Sequence, residues 1–224
     1  MERRFDEELR ELNRRLLKMS ALVEEAIHRA VKALAERSEK LANEVINSDE
    51  TINMLEIEIN EACLRLLALY QPKAIDLRFI TSMMMINNDL ERIADQAVNI
   101  AERAREIIKQ PLLKPLIDIP RMSSLVQKMV KDSIDALVNK DEMLARDVCK
   151  RDDEVDNLND QIFRELLTYM MQDPKTITRA VELILVARHL ERIADHATNI
   201  CEDVIYFVRG KTIKHHIEES KKEK

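Results

Sequence analysis

Residues 90–102 read LERIADQAVNIAE, and residues 190–202 read LERIADHATNICE. Ten of the thirteen positions are identical at an offset of 100. The likeness extends upstream at an offset of 103. There Lys18-Met-Ser-Ala-Leu-Val matches Arg121-Met-Ser-Ser-Leu-Val, and Asp49-Glu-Thr-Ile-Asn matches Asp152-Asp-Glu-Val-Asp. The three-residue slip falls between LALYQPKAIDLR and YMMQDPKTITR, where each copy turns. A collinear set of matches of this kind marks a tandem duplication of one unit of about a hundred residues.

Each unit divides in the same way. Leu9, Leu12, Leu16, Met19, Val23, Ala26, Ala30 and Leu34 follow the three-and-four spacing of one buried stripe, which predicts a first helix from about Phe5 to Arg37. A short segment, 39–47, follows. The run Asn47-Ser-Asp-Glu reads as a cap and acidic first turn that opens a second helix reaching Tyr70. Pro72 is suited to open a third helix, because its missing N–H costs nothing there; this helix runs to about Gln110. Residues 111–120 hold three of the five prolines and form the linker. The second unit repeats the scheme over 120–139, 141–149, 151–172 and 174–209, with Gly210 as the capping glycine. The expected fold is all-α, two elongated three-helix bundles in tandem. The expected division is 1–113, 114–210 and a polar tail over 211–224.

Composition excludes much else. There is one glycine and no tryptophan among 224 residues, where average usage would give about fifteen glycines. A phosphate-cradling loop or dinucleotide fingerprint needs several together, and barrels or sandwiches need many tight turns. The N-terminus lacks an apolar stretch, so no signal peptide is expected. No run approaches the ~20 apolar residues of a membrane span. The three cysteines, Cys63, Cys149 and Cys201, form no C-x-x-C pair. They read as small buried residues of a protein kept in a reducing cytoplasm. A net charge of −6 with few aromatics argues against nucleic-acid binding; the basic end of the tail, 221–224, is too short to change that.

Within the repeated motif Glu91 and Asp95 are four apart, as are Glu191 and Asp195, so each pair is stacked on one helix face. With Leu90 as origin, Ala94, Ala97 and Ala101 fall within about 40° of it, and Glu91, Asp95 and Asn99 fall on a flank about 100–180° away. The second helix carries Asp49 and Asn53 in one unit, Asp152 and Asp156 in the other. Folding each hairpin about its turn sets Asp152 level with about 195, and Asp156 with about 191. Likewise Asp49 falls level with about 94 and Asn53 with about 90. Crowded carboxylates repel, and all-oxygen donors suit hard cations. Asn99, Asn199 and His196 are further donors beside them. The competing reading is a solvated flank, with Arg92 and Arg192 in surface ion pairs worth ~0–1 kcal/mol.

Other features carry less. Glu25-x-x-His28 is half of a di-iron motif, but its repeat counterparts are Lys128 and Lys131. Met83–Met85 and Met170–Met171 read as core filler, and His215 and His216 lie in the polar tail. No Ser/His/Asp or Cys/His nucleophile arrangement is present, so no catalytic residue and no organic cofactor are expected.

The doubled LERIAD motif, with Asp76-Leu-Arg78 ahead of the first copy, resembles the PhoU family of phosphate-signalling proteins over about residues 5–209. The resemblance implies a cytoplasmic, usually dimeric protein that negatively regulates phosphate uptake and the phosphate regulon. Its partners would be the ATPase subunit of a phosphate ABC transporter and a sensor histidine kinase, with the membrane reached only through them. It also implies iron, zinc or another divalent metal on Glu91, Asp95, Glu191 and Asp195, with Asp49, Asn53, Asp152 and Asp156 opposite. Asn53 stands where that pattern has a carboxylate, which would weaken the first site. Thr176-Ile-Thr-Arg179 replaces Asp-Leu-Arg in the second unit. A metal-dependent hydrolase and a purely structural helical spacer are the alternatives.

Overall fold

The structure, a computed structural model, describes residues 4–211; the readings of His215, His216 and the basic end of the tail lie outside them. The described residues form six helices and one short 3₁₀ turn at Pro174–Thr176. The helices are α1 (Arg4–Glu36), α2 (Glu39–Tyr70), α3 (Ile75–Ile108), α4 (Asp118–Asn139), α5 (Glu142–Gln172) and α6 (Ile177–Arg209). No helix among them is long and apolar enough to cross a membrane. At ~1.5 Å per residue α1, with 33 residues, is ~50 Å long. Its predicted stripe is the face that packs: Leu12, Leu16, Met19, Val23, Ala30 and Leu34 are nearly or fully buried.

Three boundaries differ from expectation. Residues 39–47 and 141–149 are not separate segments but the first turns of α2 and α5. Asn47-Ser-Asp-Glu therefore lies inside α2. Ser48 spends its hydroxyl on the Val45 carbonyl at 2.8 Å, a back-bond that a continuous helix tolerates. The true starts are one repeat apart. Ser38 caps α2 by accepting from the Leu41 N–H at 3.3 Å, and Asp141 caps α5 by accepting from Met143 and Leu144 at 2.9 and 3.0 Å. Each cap follows a left-handed residue, Arg37 or Lys140, both at φ 54°. Pro72 does not open α3. Gln71 and Ala74 both have positive φ, so the chain rejoins a helical path only at Ile75. The linker proper is 109–117, and Pro120 is accommodated in the first turn of α4. Arg37 ties that linker down, donating to the carbonyls of Ile108 and Gln110 at 2.7 Å.

The two bundles do not stand apart; their buried residues form one continuous core. The most extensive helix contact is α3 against α6, with α1 against α4 adding a second link between the units. Small residues make the central approach possible: Ala94, Ala97, Ala101, Ala194 and Ala197 are almost wholly buried. A polar ladder runs along the same antiparallel seam. Ser82 Oγ donates to the Asp203 carbonyl at 3.5 Å, His196 Nδ1 pairs with Asp89 Oδ1 at 2.8 Å, and His189 Nδ1 pairs with Gln96 Oε1 at 2.8 Å. Arg103 Nη1 then donates to Glu182 Oε2 at 3.2 Å. Each rung is one heptad up α3 and one heptad down α6, the period that keeps two helices in register. The pairs of rungs exchange end for end under the repeat operation, so a pseudo-twofold axis crosses the middle of the seam at right angles to it.

At the end of α6, Gly210 sits at φ 68° and returns its N–H to the Tyr206 carbonyl at 2.7 Å. An added Cβ would meet only the Arg78 guanidinium at 3.5 Å, so the penalty of a side chain is conformational. Gly210→Ala is expected to cost about 1 kcal/mol, read as a shift of the urea midpoint without a change in slope.

Candidate functional site

The acidic residues of the second helices and the repeated motifs meet as the hairpin arithmetic predicts. Asp152 on α5 feels Asp195, Asp156, Asp153 and Glu191. Burial, reinforced by those four charges, pushes its carboxyl from an ordinary value near 3.8 up to about 7. Glu191 is raised by burial, then by Asp195 and Asp156, against the opposing guanidinium groups of Arg188 and Arg192. Asp195 is raised by burial and then by Asp156. Asp156 and Asp195 are open to solvent, and Asp152 is partly buried. Two rods therefore bring four carboxylates together on one flank.

The first unit builds the same arrangement with one difference. Glu91 is raised by burial and by Asp95, Glu56 and Asp49; Asp95 is raised by burial and Asp49. Glu56 is the residue that sequence reasoning missed. It lies seven residues beyond Asp49, hence on the same face of α2. Its counterpart in the second unit is Asn159. The carboxylate absent at Asn53 is thus restored two turns along from Asp49, and both hairpins carry four. A search of the i+7 positions beside each Asp would have found it. Asn53 itself serves Asp49, donating to Oδ2 at 2.8 Å. Asp49 Oδ1 and Asn53 Oδ1 are buried acceptors without a hydrogen-bond partner.

The competing reading also has substance in the first hairpin. Arg92 lies 3.5 Å from Glu91 and 3.6 Å from Asp95, although its own side chain is 55% exposed, so these pairs contribute little. The three extra donors fare differently. His196 and Asn199 are turned to Asp89 on α3, at 2.8 and 3.4 Å. A carboxylate in the seam outcompetes the acidic flank for them, although the His196 ring still lies near enough to Asp95 to offset a small part of the rise that burial and Asp49 impose on it. Asn99 is partly buried on α3. On the next rung, burial and then Arg192, Arg103 and Arg188 push His189 down to about 4, which keeps its ring neutral.

Would these groups suit a cation? The donor chemistry is all oxygen, Asp49 and Asn53 offer orphaned buried acceptors, and the carboxylates disfavour one another's ionisation. A hard divalent ion answers all three. The side chains as they stand are spread along the rods: among the described residues no group of three or more His, Cys, Asp or Glu is arranged to hold an ion. The flank is thus chemically suited to cations but not pre-closed around one. Nearby, an open cleft lined by Asn60, Met84, Met85, Asn88, Asn199 and Glu202 runs between the two units.

The family model described as "PhoU domain" matches this chain twice, over residues 16–104 and 119–204. A phosphate-specific transport system accessory protein PhoU homolog of Aquifex aeolicus is 48% identical, over 95% of this chain and 96% of the relative. A protein with the same description from Pseudomonas aeruginosa is 42% identical, over 94% of this chain and 88% of the relative. The crystal structure of PhoU from Pseudomonas aeruginosa superposes with a TM-score of 0.90 at 42% identity, over 93% of this chain and all of that one. That of the phosphate transport system regulatory protein PhoU from Streptococcus pneumoniae gives 0.88 at 31%, over 94% and all of that chain.

Proposed function

This chain belongs to the PhoU domain family, and from that premise we propose that it is a non-enzymatic negative regulator of phosphate uptake and phosphate-regulon signalling. It works by contact: one helix face engages the ATPase subunit of a phosphate ABC transporter and another engages a sensor histidine kinase, as a cytoplasmic homodimer. The relatives bear names of accessory and regulatory proteins of phosphate transport, which supports the transporter half of this reading. The observation that carries the rest is the pair of acidic hairpins, set on rods long enough and rigid enough to present a constant surface. Exposed apolar side chains on the outside of α2, Met54, Ile57 and Leu64, supply contact area beside the first of them.

The hairpins would hold a divalent cation such as iron or zinc through Asp49, Glu56, Glu91 and Asp95 in one unit, and Asp152, Asp156, Glu191 and Asp195 in the other. A cation there would neutralise the flank and so change which partner surface it matches. The protein's own side chains set the charge and spacing; the ion supplies only compensation.

Capture on the immobilised chain from phosphate-replete cells is expected to recover a transporter ATPase and a histidine kinase. Recovery of neither overturns the proposal. Metal analysis of the purified chain addresses the flank separately: Asp152→Ala and Asp195→Ala are each expected to lose the second hairpin's share of the bound metal and keep the first hairpin's, and hydrolysis of phosphoesters by the metal-loaded chain would contradict a non-enzymatic role.

A further inference from the structure

Toward its turn, the α5–α6 hairpin carries a bare apolar face. Phe163, Leu167 and Met171 stand four residues apart on α5, and Ile177 and Val181 four apart at the start of α6, so each set is stacked on one side of its helix. The turn that joins the two helices is tight: Thr176 Oγ1 donates to the Tyr169 carbonyl at 3.1 Å, and the Asp173 N–H to the same carbonyl at 3.0 Å. Folding back about it sets Met171 level with about Ile177 and Leu167 with about Val181, on helices that pack closely. Both rows point one way. Phe163 and Leu167 lie seven and eleven residues beyond Asp156, hence on its face of α5. Ile177 and Val181 lie fourteen residues before Glu191 and Asp195, within about 40° of each. The five side chains therefore continue the second acidic flank toward the turn as one patch.

These side chains are 39–79% exposed. At roughly 200 Å² for a large side chain in the open, they present about 500 Å² of hydrocarbon and thioether, a size that marks function on a monomer. A stable interface takes ~800 Å² from each partner with ~56–65% of it apolar, or about 450–520 Å². The patch by itself supplies that share. The repeat points to the occupant. In the first hairpin Asn60 stands for Phe163, Ala68 for Met171 and Thr81 for Val181, so the chain bears this patch once. A face present once per chain closes on its own copy: a twofold axis satisfies both surfaces and leaves none for a third subunit.

We propose that the α5–α6 face formed by Phe163, Leu167, Met171, Ile177 and Val181 is the surface through which two copies of this chain pair. The proposal rests on the homodimeric reading above and gives it a place in the fold. Each α5–α6 hairpin lies on its twin as half of a four-helix contact. The first hairpin, with Met54, Ile57 and Leu64 on the outside of α2, stays available to other partners.

The test is sedimentation velocity of the full-length chain over a concentration series, for the parent and for Met171→Glu, Leu167→Glu and Leu64→Glu. Met171 is 79% exposed, so its replacement removes almost no internal contact and should keep the parent's helical circular dichroism and Tm. The parent and Leu64→Glu, the repeat equivalent of Leu167→Glu, are expected to sediment as dimers. Met171→Glu and Leu167→Glu should be monomers at the same concentrations, with the dimer dissociation constant raised about 100-fold or more, because the twofold places each new charge in the interface twice. A dimer that survives both substitutions pairs through another face; it overturns this proposal and leaves the homodimer standing. A parent that stays monomeric, or one that grows into open-ended oligomers, overturns both. Equal loss of the dimer in Leu64→Glu would also overturn the assignment to the second hairpin.

Discussion

Stripped of divalent cations, an Asp152→Asn chain is expected to melt higher than the parent at pH 8 and at the same temperature at pH 4. The carboxyl of Asp152 stands at about 7 in the folded protein because burial, then Asp195, Asp156, Asp153 and Glu191, all oppose its charge. The unfolded chain releases that proton near pH 3.8. The folded state therefore holds the proton more tightly, and the associated stability is complete below about pH 4 and is lost as pH rises through 7. At ~1.4 kcal/mol per unit the loss has a ceiling of about 4 kcal/mol. Asp156 and Asp195 are open to water, and screening on that side reduces the figure to about 1–2 kcal/mol. For a chain of this size that is a rise in Tm of about 3–6 °C. Adding a divalent cation should raise the parent's Tm by more than the variant's, since Asn removes one charge from the second hairpin while the first hairpin is the same in both. A variant no more stable than its parent at pH 8 would show that the second hairpin stores no repulsion, and the case for a cation there would fall with it.

Phe207→Ala is expected to be the most damaging single truncation. The ring is 2% exposed and lies where three parts of the chain converge. It packs against Phe79 of α3 with centroids 5.2 Å apart, and the Lys140 ammonium, from the turn between α4 and α5, lies 5.6 Å above its face. Loss of the ring opens a cavity and removes an aromatic pair and a cation–π contact together. The cost is about 3–5 kcal/mol, or a fall in Tm of roughly 10 °C. Chemical denaturation should shift its midpoint by a matching amount with an unchanged slope. A change below about 1 kcal/mol would mean that the two units fold without this contact, and that the seam between α3 and α6 does not depend on its end.

The hairpin levels were legible because they need only the helical rise and two turn positions. An error of one or two residues in either turn hardly moves a side chain out of reach of its neighbours. Cap positions were less legible. Asn47-Ser-Asp-Glu has the composition of a cap, yet small polar residues act as caps only where the backbone has left the helix, as at Ser38 and Asp141; Ser48 instead bonds back to Val45. Glu56 lies outside the four-residue spacing that marks the other carboxylates, although seven residues return a side chain to the same helix face as surely. The bonds of His196 and Asn199 to Asp89 are illegible for another reason. A flank read from one helix does not reveal the helix from the other unit that competes for its donors.

Taken alone, the amino-acid order determined the doubling, the helical periodicity and the meeting of carboxylates within each hairpin. All three follow from repeat spacing and from 3.6 residues per turn, which are properties of the chain itself. Only the tertiary structure decided how the two units face each other. The α3–α6 seam, with its ladder from Ser82 to Glu182 and its buried alanines, joins residues about a hundred positions apart, and no local periodicity encodes which face meets which.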